Sequence, residues 1–140
     1  MATAASKIYF IRRIAAVLEY ISTERAPAAI GPYSQAVRAG GFLYLSGVMP
    51  IDPETNALAE DNIAAQARQI VRNVDQVLRA AGYGQEDVVK TTCFLSDIGN
   101  FAAFNEVYGS YFTSRPARSC VAVKDLPKGA LAEVEVVAYR

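Results

Sequence analysis

The chain has 140 residues and a formal net charge of zero. This length suits a single domain with its own core, and the balanced charge weighs against nucleic-acid binding, which usually needs a basic excess to neutralise phosphates. The sequence contains no histidine and two cysteines, Cys93 and Cys120, so it lacks the commonest general base and the usual ligands of a zinc site, and we expect no metal and reduced thiols.

The first residues differ in character from the rest of the chain. We expect residues 1–19 to be an N-terminal extension of uncertain role and residues 20–140 to form one domain. From Lys7 to Tyr20 the apolar residues have helical spacing, and three basic residues precede the first acid, Glu19, which gives a weak resemblance to a mitochondrial presequence. An appended packing segment is the alternative. We expect a cytoplasmic protein, with a mitochondrial one as the minor alternative, and no membrane partner, because no apolar run approaches ~20 residues.

A stiff, irregular segment follows from Ala26 to Gln35. Two prolines and a glycine restrict its backbone, and such loops often present a side chain for binding. Tyr33 is the candidate, although packing of its ring is the alternative.

Two strands are predicted next, with a helix after them. Gln35 to Arg38 and Phe42 to Val48 flank a Gly-Gly turn, which indicates a hairpin, and a possible earlier strand begins at Leu18. The second strand ends in Ser46-Gly47, and residues 49–62 form a turn-rich loop. The spacing of apolar residues then predicts a helix over residues 61–81, capped by Asp61 and ended by Gly82.

The middle of the chain is predicted to contain a strand over residues 87–95 and a second helix over residues 100–112. Most aromatic residues of this helix are expected to point inward. Asn105 lies between two of its aromatic turns and is a candidate site residue, although an exposed helix position is the alternative.

The last quarter holds two further strands, residues 115–123 and 131–139, and we expect them to pair as an antiparallel hairpin. Arg118 and Cys120 share a face of the first strand because side chains alternate. Whether Glu133 shares that face depends on the register, since a slip of one residue reverses every side chain. We favour the register that places Arg118 and Glu133 on the same polar face. Ordinary charges on a solvated outer face are the alternative.

These elements predict an α+β sandwich in which two helices cover one face of a mixed sheet. The other face has no cover within the chain, yet it carries several large apolar residues, namely Phe42, Tyr44, Val137 and Tyr139. An uncovered apolar face usually meets a partner, so we expect an oligomer of identical chains, for which a barrel-like homotrimer is one arrangement.

The sequence resembles the reactive-intermediate deaminase family (Rid, also called YjgF), in its RidA-like branch, from about Tyr20 to the C-terminus. The matching pieces are residues 21–23, 26–36, 46–47, 52–55, 80–82, 88–92, Asp97, Phe101, 105–108, Phe112, 116–119, 126–130 and 133–135.

The resemblance implies a chorismate-mutase-like homotrimer with clefts between subunits. It also implies hydrolysis of 2-imino acids, such as 2-iminopropanoate and 2-iminobutanoate, to 2-keto acids and ammonia. Arg118 would bind the carboxylate and Glu133 would position water or move its proton, in a cleft lined by residues Tyr33, Ser46, Asn105 and Cys120. The electrophilic iminium carbon needs no cofactor, and an arginine and a carboxylate suffice for these tasks.

Three departures from the family pattern bear on the site and on targeting. Val48 stands where a glutamine is usual, Arg115 stands where an aromatic residue is common, and residues 1–19 are additional. Two other functions remain open at this stage. One is an endoribonuclease or translation inhibitor, which the zero net charge disfavours, and the other is a non-catalytic trimer that binds small metabolites.

Overall fold

The computed structural model describes residues 17–140, which form a mixed six-stranded sheet and two helices. The strands are β1 (Leu18–Ile21), β2 (Ala36–Ala39), β3 (Phe42–Val48), β4 (Ile51–Asp52), β5 (Ala57–Leu58), β6 (Val88–Leu95), β7 (Ala117–Ala122) and β8 (Ala132–Tyr139), and the helices are α1 (Ile63–Ala80) and α2 (Phe101–Tyr111). The large sheet has the order β1-β2-β3-β8-β6-β7, and β4 pairs with β5 separately. The predicted α+β class with a mixed sheet and two helices is confirmed. Within residues 17–140, neither helix combines the length and hydropathy needed to cross a membrane.

The predicted hairpin between the last two strands is wrong. β6 lies between β7 and β8, pairing with β7 in parallel and with β8 antiparallel. The physical reason is the helix α2, which connects β6 to β7, because a strand–helix–strand unit returns the chain to a parallel neighbour. The connector after β7 then crosses β6 to reach β8.

The covered face of the sheet is apolar, as predicted from the alternation in β8. Ala132, Val134, Val136 and Ala138 are at most 1 % exposed and pack against the helices with the buried residues of β3. The stripe predicted on α1 is also buried, including Ile70, Val74 and Leu78. Burial of this one face fixes the register of the central strands.

The ends of the helices follow local capping rules, with one difference from the prediction. The N-cap of α1 is Asn62, not Asp61, because Asn62 has the extended backbone of a cap and its Oδ1 accepts a hydrogen bond from the Ala65 N–H at 2.8 Å. Gly82 ends the helix as predicted, at a φ of +79° that side chains disfavour.

Strand β1 includes two residues of the predicted N-terminal extension. Leu18 and Glu19 belong to β1 and pair with Ala39 and Arg38, so they are part of the sheet. Residues 1–16 of the predicted extension, with most of the helix-like spacing after Lys7, lie outside the described residues.

The open face of the sheet carries the aromatic residues predicted for it. Phe42, Tyr44 and Tyr139 are 41 %, 47 % and 54 % exposed, and the ring centroids of Phe42 and Tyr139 lie 4.8 Å apart. Val137 pairs with Tyr44 across β3 and β8 on this face. The patch therefore spans neighbouring strands on the side away from the helices.

The loop predicted over residues 49–62 contains the β4–β5 hairpin and is tied to α1 by a buried amide. Asn73, which is 1 % exposed, donates hydrogen bonds from Nδ2 to the carbonyl oxygens of Met49 and Ile51 at 3.0 and 2.8 Å. Its Oδ1 accepts a hydrogen bond from Gln69 Nε2 at 3.0 Å. A single side chain thereby satisfies two carbonyls of the loop.

Replacing this amide should destabilise the fold measurably. We expect Asn73→Ala to lower the free energy of unfolding by about 2 to 4 kcal/mol, because two carbonyl oxygens lose their partners. Urea unfolding at one fixed protein concentration measures the change. Arg72→Ala, at an exposed position on the same helix, is the control and should stay within about 0.5 kcal/mol of the parent. Equal effects from both substitutions would contradict this role of Asn73.

Candidate functional site

The six predicted site residues fall into two groups on opposite faces of the sheet. Tyr33, Ser46 and Glu133 line one cavity of about 430 Å³. Arg118 and Asn105 line a second, more open depression between β7 and α2. Cys120 lies two residues from Arg118 on the same face of β7.

Arg118 is held between β7 and α2 with its guanidinium half-buried. Its register partner on β6 is the buried Thr91, so its side chain is directed to the helix side of the sheet. Nη1 donates a hydrogen bond to Asn105 Oδ1 at 2.6 Å. The guanidinium carbon also lies 4.6 Å from the ring centroid of Tyr108 and 5.5 Å from that of Phe101. A guanidinium carries five N–H donors, so this arrangement fixes the cation and leaves donors for an incoming anion.

Tyr108 supports Arg118 from the core. Its hydroxyl shares a hydrogen bond with Thr91 Oγ1 at 2.7 Å, and burial raises the pKa of the phenol, so the ring stays neutral beneath the guanidinium. Phe101 and Tyr108 were expected only as inward helix residues. Their position beside Arg118 could not be read from α2 alone, because it depends on β7 lying next to it.

The two thiols are register partners on β6 and β7. Burial raises the pKa of Cys93 to about 12, and burial also raises the pKa of Cys120 against the opposing effect of Arg118. Both are therefore protonated near neutral pH, which suits a wall residue better than a nucleophile. Among the described residues, no group of three or more His, Cys, Asp and Glu side chains is placed to hold a metal ion.

The stiff loop that carries Tyr33 is fastened by Gln35. This buried amide donates from Nε2 to the carbonyl oxygens of Thr23 and Pro27 at 3.0 and 2.7 Å, and its Oε1 accepts from the Thr23 N–H at 2.7 Å. Ser46 Oγ donates to the Ser34 carbonyl oxygen at 2.6 Å. Tyr33 itself is 52 % exposed, so the loop presents this ring at the cavity and does not bury it.

Glu133 points to the open face of the sheet, into space that a glycine leaves free. The pairing of β3 with β8 shifts register between Leu45 and Val48, which places Gly47 against the Glu133 side chain. A Cβ built on Gly47 would lie 1.8 Å from Glu133 Oε1. Gly47 is therefore a site residue that the sequence analysis missed, and its signal was the Ser-Gly pair at the end of a predicted strand.

The Glu133 carboxyl is electrostatically perturbed. Burial is the larger cause and the nearby Glu135 the smaller, and both raise the pKa of Glu133 above its ordinary value. Such a carboxyl can accept or return a proton nearer to neutral pH than an ordinary glutamate.

The expectation that Arg118 and Glu133 share a face of one chain is wrong. Arg118 is opposite Thr91 on β6, whereas Glu133 is opposite Phe94, and these two positions on β6 face opposite sides of the sheet. The prediction assumed direct pairing of β7 with β8, which the intervening β6 prevents. One chain thus carries the two charged groups in separate places.

Comparison with known proteins gives consistent matches over the described domain. A family model described as endoribonuclease L-PSP matches residues 23–140. A protein of Salmonella typhimurium named 2-iminobutanoate/2-iminopropanoate deaminase is 49 % identical over 124 residues, which cover 86 % of this chain and 96 % of that protein.

Two solved structures share the fold. The Yersinia pestis protein YyfA, described as of unknown function and of the Rid protein family, is 48 % identical with a TM-score of 0.86, over 89 % of this chain and 100 % of its own. Escherichia coli TdcF with bound serine is 40 % identical with a TM-score of 0.84, over 87 % of this chain and 98 % of its own.

The raised pKa of Glu133 predicts a measurable effect on stability. When the pKa of an acid is higher in the folded state, the contribution of that acid to the free energy of unfolding is complete below its unfolded pKa. This contribution is lost as the pH rises through the folded pKa. We expect Glu133→Gln to have a higher melting temperature than the parent at pH 7 and to lose this advantage near pH 4, where both states of the parent protonate. Melting curves across this range, with the exposed Glu106→Gln as the comparison, test the assignment. A Glu133→Gln protein that is less stable at pH 7 would contradict it.

Proposed function

The chain belongs to the endoribonuclease L-PSP family, also called the YjgF/Rid family, and from this premise we propose that it hydrolyses 2-imino acids to 2-keto acids and ammonia. The observation that carries the proposal is the half-buried Arg118 guanidinium with unused donors, in a chain 49 % identical to a protein named for this reaction. 2-Iminopropanoate and 2-iminobutanoate are the substrates implied by that name.

Arg118 is proposed to bind the substrate carboxylate. A guanidinium and a carboxylate form two parallel N–H···O bonds, and the contacts of Arg118 with Asn105 and Tyr108 hold the cation ready for them. The relative from Escherichia coli was solved with serine, which has the same α-carboxylate as a 2-imino acid. The ring of Tyr108 also excludes water from one side of this pair, which strengthens it.

Glu133 is proposed to activate the attacking water. Its carboxylate accepts a proton from the water as the water oxygen bonds to the carbon of the protonated imine, whose nitrogen takes the C=N electron pair and becomes a neutral amine. The same carboxyl then returns this proton to the nitrogen, and the C–N bond breaks as the hydroxyl oxygen forms the carbonyl and gives its proton to the carboxylate. Ammonia leaves and takes up that proton as ammonium. The raised pKa of Glu133 suits both transfers. No electrons are exchanged, so these residues need no redox cofactor.

The separation of Arg118 from Glu133 favours a site made by two copies of the chain. The aromatic patch on the open face supplies apolar surface for such an assembly, and Phe42, Tyr44 and Tyr139 would lose their exposure in it. We propose a homotrimer in which Arg118 of one copy meets the Glu133 cavity of the next. Tyr33 and Ser46 would line the Glu133 side, and Asn105 and Cys120 the Arg118 side.

Removing the Arg118 guanidinium should strongly lower the rate of imine hydrolysis and leave the proposed trimer assembled. We expect Arg118→Ala to lower kcat/KM for 2-iminopropanoate by roughly 30- to 5,000-fold, the usual cost of truncating one member of a buried charge pair. Arg118→Lys should recover only part of this loss, because an ammonium does not reproduce the two-pronged geometry.

The measurement generates the imine in situ with an amino-acid oxidase and follows its loss, with sedimentation to verify assembly. Arg72→Ala, at an exposed position of α1, is the control and should match the parent. An assembled Arg118→Ala protein with the parent rate would end the proposed role. Loss of assembly in both Arg118 variants would indicate a structural residue. Cleavage of RNA without imine hydrolysis would favour the ribonuclease alternative.

Mixed assemblies test whether each site uses two copies. We expect Glu133→Gln alone to lower turnover by ~10² to 10⁴, the usual share of general acid–base catalysis. In a trimer assembled at random from equal amounts of Arg118→Ala and Glu133→Gln chains, about a quarter of the sites would combine an intact Arg118 with an intact Glu133. Co-folding the two variants should therefore restore roughly a quarter of the parent rate.

Two comparisons control this experiment. Mixing the separately folded variants without exchange should restore nothing, and co-folding either variant with itself should remain inactive. Absence of recovery in mixed trimers verified by mass spectrometry would mean that the site does not combine Arg118 and Glu133 from different chains.

A further inference from the structure

The cavity beside Glu133 is deeper than a methyl side chain requires. Its inner end is lined by buried apolar residues from four parts of the chain, namely Ala26, Val48, Ile51 and Val77. The cavity has a volume of about 430 Å³ in one copy of the chain, before Arg118 of a neighbouring copy meets it. The methyl side chain of 2-iminopropanoate would leave most of the apolar wall in contact with water.

The polar groups of the inner wall are engaged within the protein. Both donor and acceptor of the Gln35 amide bind backbone groups, and the Ser46 hydroxyl donates to the Ser34 carbonyl oxygen. The exposed polar side chains of the lining, Tyr33, Asn56 and Lys128, are at the mouth. A polar substrate side chain at the inner end would therefore leave its water partners and find few replacements.

We propose that this cavity is a side-chain pocket that selects 2-imino acids with unbranched apolar side chains of three to four carbons over 2-iminopropanoate and over polar side chains of equal length. The inference rests on the proposed hydrolysis of 2-imino acids and names its substrate class. Each added methylene group that enters the pocket displaces water from the apolar wall, and its burial is worth about fourfold in binding.

A series of imines tests the selection. They are formed in situ from alanine, 2-aminobutyrate, norvaline and norleucine, with glutamine as the polar comparator of similar length, and kcat/KM is measured for each. We expect a rise of about fourfold per methylene group, or roughly 60-fold from the methyl to the butyl side chain. The glutamine-derived imine should be hydrolysed at least about tenfold less efficiently than the norleucine-derived one. A flat or falling series, or equal efficiency for these two imines, would overturn the inference.

Binding of the corresponding 2-keto acids separates this inference from the proposed reaction. If imines are hydrolysed but the series is flat, the pocket assignment fails and the reaction stands. If no imine is hydrolysed, calorimetry with the 2-keto acids decides. Affinity rising with chain length would then support an apolar pocket in a binding protein, and equal affinities would overturn the pocket as well.

Two substitutions locate the effect in the cavity. Ile30 lines the cavity and is 76 % exposed, so Ile30→Ser should fold normally. It should reduce the ratio of kcat/KM between the norleucine-derived and the alanine-derived imine by about threefold. The matched control is Ile98→Ser, at an isoleucine that is 56 % exposed and outside the lining of this cavity, and it should retain the full series. Val48→Gln places an amide at the inner end and should compress the series further, provided that melting shows a folded protein. An unchanged series in Ile30→Ser would place the selectivity outside this cavity.

Discussion

The position of β6 between β7 and β8 is the constraint on which the arrangement of charged groups depends. Because side chains alternate along every strand, one buried face fixes which residues point to the helices and which point away. Thr91 and Cys93 are buried beneath the helices, so Arg118 is directed to α2, whereas Glu133 emerges on the open face. The core thus determines where both ionic groups lie, and neither could change faces without reversing a whole strand.

Both groups are kept partly out of water by different means. Arg118 is surrounded by aromatic rings and one amide. Because its guanidinium is weakly hydrated, these contacts suffice to replace the water that it loses. Glu133 lies partly buried opposite Gly47, and this burial, followed by the nearby Glu135 carboxylate, raises its pKa. The first arrangement stabilises a cation, and the second raises the proton affinity of a carboxylate, which is the division of tasks that the proposed hydrolysis needs.

Much of the fold could be predicted from local patterns, and the errors came from non-local pairing. The alternation in β8 predicted its buried and open faces, and the apolar stripe predicted α1, because each pattern is repeated several times within one element. The β7–β8 hairpin was wrong since adjacency in sequence was taken as adjacency in space, although the β6–α2–β7 order itself indicated a parallel pair. The positions of Gly47 beside Glu133 and of Tyr108 beside Arg118 were not predicted, because they depend on which strand lies next to each residue, and one segment alone does not show that.

The pairing of β3 with β8 has a consequence for the order of folding. β6, α2 and β7 are contiguous in sequence and can assemble early, whereas the pairing of Phe42 with Tyr139 joins an early strand of the chain to its last strand. Contacts of such long sequence separation carry a large loop-closure entropy and tend to form late in folding. Glu133 on β8 and Gly47 on β3 face each other, so the carboxylate acquires its surroundings only when β3 and β8 pair. A partly folded chain would then contain Arg118 with its partners on α2 before the cavity beside Glu133 has formed.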